Sequence, residues 1–235
     1  MIDLYTWPTP NGHKVHIMLE ETGLEYRVHP IDIGAGDQFK PEFLAISPNN
    51  KIPAMVDQQG PDGKRFALAE SGAMLFYLAS KTGKFLPRDL KKKWQVMQWV
   101  MTQMGHIGPM LGQAHHFLTY APEKIEYAMN RYKNEANRLY GVIDRQLEKS
   151  EWLACDEYTI ADIATFPWLR APERQGVNID DFPHLKKWRE RIAGRPAVKK
   201  AVEVLADRRR PTPGFTKEQS EVLFGATQYK KRQAG

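Results

Sequence analysis

Three short stretches of this 235-residue chain set polar groups where they could do chemistry. The first, Thr9-Pro10-Asn11-Gly12, stands between a strand-like run and an amphipathic helix. A helix beginning near Asn11 or Gly12 offers unpaired backbone N–H groups beside the Thr9 hydroxyl and the Asn11 amide. That setting welcomes an anion and lowers the pKa of a thiol. The plainer alternative is a strand-to-helix turn with Asn11 as N-cap. The second stretch, "NNKIPAMVD", puts Lys51 where it could meet a carboxylate and Pro53 directly before a strand. A cis Ile52–Pro53 bond would leave the Ile52 backbone free to pair with an extended peptide, whereas an ordinary loop needs none of this. The third, "AESGAML", sets Glu70 and Ser71 ahead of a helix. The Ser71 N–H and hydroxyl could receive a carboxylate and Glu70 an ammonium group, as an α-amino acid head requires; a plain serine N-cap is the alternative.

The chain has few other groups with reactive chemistry. Its single cysteine, Cys155, cannot form an internal disulfide and sits far along the chain from Thr9. Tyr5 could activate a thiolate through its hydroxyl, but its place inside a strand run favours a packed aromatic. The adjacent pair His115 and His116 is badly spaced for joint metal binding on a helix, and no zinc-ligand spacing occurs, so no metal is expected. The net charge of +6 is concentrated near the C-terminus, in "DRRRP" and "YKKRQAG". A solvated tail accounts for it better than a nucleic-acid partner, because no nucleic-acid-binding pattern accompanies it. No apolar run has membrane-spanning length, and the first residues lack a signal-peptide pattern; the expected location is cytoplasmic.

The elements that must position these groups follow from periodicity. "IDLYT", "EYRVHPID", "IPAMVD" and "RFALA" read as strands. Helices "HKVHIMLEETG" and "ESGAMLFYLASKTG" each end in glycine. The order β-α-β, link, β-β-α implies a mixed four-stranded sheet with helices packed on it. From about Pro87 the pattern is helical, with Pro109 and nearby glycines interrupting the first long helix. Trp94, Trp99, Met97, Met101 and Met104 read as helix packing, with a soft acceptor pocket as the alternative. "YTIADIA" carries a capping box, Thr159 with Asp162, and a staple pair, Tyr158 with Ile163. The boundaries expected are residues 1–86 for the α/β domain, 87–208 for the helical domain and 209–235 for an irregular extension containing the apolar patch "VLFG".

Helix-start donors for a sulfur, an edge backbone for a peptide and a paired head site together describe glutathione. At this point "NKIPAMVD", "ESGAMLFYLA" and "TIADIA", in this element order, resemble the cytosolic glutathione transferases: a thioredoxin-like domain followed by an all-helical one. "PTPNGHKVHIMLEE", "SPNNKIPA" and "GPMLGQAHHF" resemble the bacterial Nu class, related to the fungal nitrogen regulator. The resemblance implies glutathione-dependent disulfide-bond reduction with weak conjugation activity. It also implies that Thr9 and Asn11 contact glutathione sulfur. Gln38, Lys51, Ile52, Pro53, Glu70 and Ser71 would hold the tripeptide, and Arg131 a second glutathione carboxylate. A small-molecule disulfide or electrophile as substrate and a homodimer are implied as well. No cysteine occupies the first helix turn, so both reacting sulfurs should come from glutathione. Conjugation of electrophiles, and a glutathione-binding regulatory module with little catalysis, are the rival readings.

Overall fold

The computed structural model describes residues 1–209 and 214–229. The N-terminal layer runs β1 (Ile2–Thr6), α1 (Pro10–Thr22), β2 (Tyr26–Pro30), the short helix α2 (Pro41–Leu44), β3 (Ala54–Asp57), β4 (Phe66–Ala69) and α3 (Ser71–Thr82). The sheet order is β2-β1-β3-β4, with β1–β2 parallel and the other two pairings antiparallel. This is the expected mixed sheet. β1 lies in its interior, which is why Ile2 and Leu4 on one face and Thr6 beside them are all buried. Gly23 and Gly83 end α1 and α3 in the left-handed conformation, as their positions in the sequence required.

α1 is buried on nearly every side. Val15, Ile17, Met18 and Leu19 have no exposure, because the helix packs on α3 as well as on two helices of the second layer. That layer comprises α4 (Leu90–Thr102), α5 (Gly108–His115), α6 (Glu126–Leu147), α7 (Ile160–Thr165), α8 (Pro183–Ala193) and α9 (Pro196–Glu203). α1 touches α7 and α9, so one hydrophobic cluster runs from Ile2 to Ala201 without a break between the layers. The first long helix is interrupted by a wide turn at Gln103–Ile107, just ahead of Pro109. Of the residues expected to pack, Trp99 and Met104 are partly buried against the core, but Trp94 and Met101 are exposed; the buried positions of α4 are Val96 and Val100.

At α7 the capping box forms as expected: the Thr159 hydroxyl accepts a backbone N–H and Asp162 accepts the Thr159 N–H at 3.0 Å. Tyr158, expected to form a staple with Ile163, packs on the cluster that contains Ile163, against Trp152 and edge-on to Phe85. The extension also departs from expectation. Lys217–Phe224 form a regular helix, α10, started by a Thr216/Gln219 capping box. Val222, Leu223 and Phe224, read from sequence as a weak patch, give this helix an apolar side to set against the fold. Residues 210–213, at the start of the expected extension, and the basic run after Tyr229 lie outside the described residues.

Candidate functional site

α1 starts at Pro10, two residues earlier than an Asn11 N-cap would place it. Thr9, not Asn11, is the N-cap, with extended backbone, Pro10 at the first helical position and the Thr9 hydroxyl accepting the Gly12 N–H at 3.3 Å. Because the hydroxyl oxygen takes that bond through a lone pair, its own proton is left to donate. The turn is fixed by close approach: a Cβ on Gly12 would stand 2.2 Å from the Trp7 carbonyl oxygen. Asn11 is oriented from the second layer. The Trp168 indole N–H, which can only donate, reaches Asn11 Oδ1 at 2.9 Å, so the amide NH2 points the other way with its two protons available. No acidic residue lies in the first turn of α1.

Thr9 and Asn11 line a cavity of about 240 Å³ together with Gln38, Lys51 and Ile52. All five of these residues belong to the N-terminal layer, and the Ile52–Pro53 bond beside the cavity is cis. Gln38 is buried; its amide donates to the Ile33 carbonyl at 3.0 Å while its Oε1 has no partner. The opposite wall is α10 and the turn after it: Leu223, Phe224 and Gln228 complete the cavity, and Lys51 Nζ donates to Gln228 Oε1 at 2.9 Å. Burial lowers the pKa of Lys51.

A second cavity of about 470 Å³ shares Asn11, Lys51 and Trp168 with the first and extends toward α5. Lys14 lies on its wall, almost wholly buried, with Nζ 2.6 Å from Gln103 Oε1, 3.4 Å from the Ser71 hydroxyl and 3.5 Å from the Met104 sulfur. Burial pushes its pKa down to about 7, against the opposing pull of the Glu70 carboxylate. Ser71 is the first residue of α3 rather than its N-cap. Glu70 occupies the cap position at φ 67°, and no side chain caps the helix. The first N–H groups of α3 are thus left without a cap, directly above a buried ammonium group. Glu70 holds Asn49 at 3.5 Å.

Arg131 is not brought to either cavity. It is half-exposed on α6, 3.8 Å from Glu135. Tyr5 stacks on His29 at 4.6 Å between rings, as a packed aromatic should. Cys155 is buried, burial raises its thiol pKa, and it lines neither cavity. His115 stacks on Tyr120, and His116 meets Phe224 edge-on. Among the described residues no group of three or more His, Cys, Asp or Glu side chains could hold a metal, and no helix is long and apolar enough to cross a membrane.

Sequence reasoning missed Lys14, Trp168 and the α10 wall. For Lys14 a signal existed: it lies three residues after Asn11 and four before Met18, on the face of α1 that turns inward.

Comparison with known proteins places this geometry. Residues 1–80 match the model of the glutathione S-transferase N-terminal domain and residues 96–196 that of its C-terminal domain. The chain is 52% identical over 203 residues to the disulfide-bond oxidoreductase YfcG of Escherichia coli, covering 86% of this chain and 94% of that one. It is 35% identical over 232 residues to the transcriptional regulator URE2 of Saccharomyces cerevisiae, covering 82% of this chain and 65% of that one. Among solved structures, a glutathione transferase from Pseudomonas putida with one glutathione disulfide per subunit superimposes with TM-score 0.83 at 45% identity, over 87% of this chain and 91% of that one. A family member from Pseudomonas fluorescens with two glutathiones bound gives 0.82 at 48%, over 86% and 92%. The chain belongs to the glutathione S-transferase family.

Proposed function

We propose that this chain is a glutathione-dependent disulfide-bond oxidoreductase that uses bound glutathione thiols and no cysteine of its own. The observation that carries the reading is the start of α1, where a hydroxyl proton and an amide NH2 are free beside a cavity that contains no thiol. There Thr9 and Asn11 would donate to the glutathione sulfur and favour its thiolate, the attacking species. Gln38, Lys51, Ile52 and Pro53 would hold the peptide, and Glu70 and Ser71 its γ-glutamyl head. Lys14 supplies positive charge beneath the Ser71 carboxylate site.

The reaction balances without a protein thiol. The bound thiolate attacks one sulfur of a disulfide, forming a mixed disulfide and releasing the other half as a thiolate. A second glutathione thiolate then attacks the mixed disulfide, forming glutathione disulfide and releasing the second half. Arg131 is assigned to that second glutathione by the family resemblance. The names of the two relatives, one an oxidoreductase and one holding glutathione disulfide, support disulfide exchange over conjugation.

Three further parts of the reading belong here. The division at residues 1–86, 87–208 and 209–235 is supported by the end of α3 at Thr82 and the start of α4 at Leu90. A homodimer is supported by the exposed apolar stripe Leu90, Trp94 and Met101 on α4. Cytoplasmic residence suits a chain that works with a reducing tripeptide. The test is turnover. With glutathione, 2-hydroxyethyl disulfide is expected to be reduced at a rate well above conjugation of a chloronitrobenzene, and a dominant conjugation rate would overturn the reading.

A further inference from the structure

On the far side of Thr9 lies a third cavity, of about 250 Å³, that the tripeptide site does not use. One wall is the β1–α1 loop, Trp7 to Thr9; the other carries Arg174, Arg208 and Arg209. It shares Thr9 and Ile33 with the glutathione cavity, so the two cavities adjoin at the residue assigned to the glutathione sulfur. Arg208 pairs with Asp207 at 3.1 Å. Arg174 and Arg209 make no side-chain hydrogen bond or ion pair among the described residues, and residues 210–213 and 230–235 contain no Asp or Glu. The positive charge of Arg209 is felt inside the fold. It adds to burial in lowering the pKa of His16 to about 4, and it disfavours the charge of the neighbouring Arg170. Arg174 and Arg209 thus line a cavity next to Thr9 with no anion supplied by the described residues.

We propose that this cavity receives a carboxylate carried by the disulfide substrate, and that the enzyme selects acidic disulfides over neutral and basic ones. The inference rests on the disulfide reading given above. Arg174 falls within the matched C-terminal domain, whereas Arg208 and Arg209 lie beyond residue 196, where the family match ends. Guanidinium groups pair with carboxylates through two parallel bonds, which fixes orientation as well as charge. With its carboxylate held there, the disulfide presents its near sulfur beside Thr9. As the bound thiolate attacks, the S–S bond breaks and its electron pair leaves on the far sulfur. The departing acidic thiolate stays close to the same positive charge. The second glutathione then completes the exchange, so two glutathione thiols become one glutathione disulfide and both substrate halves leave as thiols.

The experiment compares kcat/KM for three disulfides of similar size: the dianion 3,3′-dithiodipropionate, neutral 2-hydroxyethyl disulfide and dicationic cystamine. The native full-length protein is expected to prefer the dianion over the neutral compound by roughly tenfold at low salt, the scale of one charge-assisted bond, and cystamine is expected to be the poorest. Added salt should narrow the gap. In the Arg174→Ala/Arg209→Ala double variant, with its melting temperature recorded alongside, the dianion-to-neutral ratio should fall toward one. An Arg174→Lys/Arg209→Lys variant should recover part of it. Equal turnover of the three compounds by the native protein overturns the proposal, and so does a preference that survives the alanine variant. A variant whose only change is a raised KM for glutathione also overturns it, by giving the cavity to the second tripeptide. No turnover of any of the three would overturn the underlying disulfide reading as well, and is read as distinct from turnover without charge preference.

Discussion

Two helices of this protein begin with the same residue and come to opposite ends. Thr9 and Thr159 are both N-caps in extended conformation, and both hydroxyls accept a backbone N–H from the turn they cap. At α7 the remaining bonds are closed from within. Asp162 accepts the N–H groups of Leu153 and Thr159, the Thr159 hydroxyl and the Trp188 indole N–H, all in a site with no exposure. At α1 the corresponding acid is absent, Pro10 and Asn11 open the helix, and the neighbouring side chains turn protons toward a cavity. The same cap is closed where its own chain supplies the acid and is left open beside a cavity where it does not. A motif of this kind is therefore read from the residue three places on, not from the cap alone.

That contrast can be broken at either end. Asn11→Asp gives α1 the first-turn acid it lacks. A bound glutathione thiol beside that carboxylate should lose thiolate, and kcat/KM for 2-hydroxyethyl disulfide should drop on the order of 100-fold. Ultraviolet absorbance of the bound thiolate checks the cause, and an unchanged rate would put the sulfur elsewhere. At the other end, Asp162→Asn sets amide protons against N–H donors and should lower stability by about 3 kcal/mol in urea titrations. Burial raises the Asp162 pKa to about 6, so the folded state binds more protons than the unfolded one between about pH 4 and 6. Native stability should contain a component that falls as pH rises through that window, and the Asn variant should lack it.

A smaller effect concerns α3, whose start no side chain caps. Lys14 has a folded pKa of about 7, and an anion at Ser71 favours its charged form. Affinity for S-hexylglutathione, whose sulfur cannot ionise, should weaken several-fold as pH rises from about 7 to 8.5. Lys14→Met should bind more weakly and should flatten that dependence; a slope retained in the variant would assign it to Glu70, Lys51 or the ligand. The smallest effect is expected at Cys155→Ala, which should keep nearly all disulfide reduction. Substantial loss with the fold intact would end the thiol-free mechanism.

The contrast also explains what sequence could supply. Strands, the mixed sheet and the Thr159 box were legible because alternation, glycine stops and a three-residue spacing are local properties. Thr9, Asn11, Gln38, Lys51 and Ile52 could be named as one site and do line one cavity. For Lys14 only its place on the inward face of α1 was legible; its partners Gln103 and Met104 are 89 and 90 residues away. The orientation of Asn11 depends on Trp168, 157 residues distant. The expectation that Trp94 and Met101 pack inside failed for a related reason. Helical spacing tells which residues share a face but not which face meets the core. α10 was hidden by composition, since a short polar helix held by a capping box and two or three apolar contacts has almost no periodic signature.

The burial of Cys155 has a chemical corollary. A reductase that attacks with its own cysteine can be driven to sulfinic or sulfonic acid and is then lost as a whole molecule. Here the one thiol of the polypeptide is shielded and disfavoured as thiolate, and under the proposed mechanism the sulfur at risk would belong to a ligand. A damaged ligand dissociates and a fresh one takes its place, so peroxide would consume the tripeptide pool before it retired the protein.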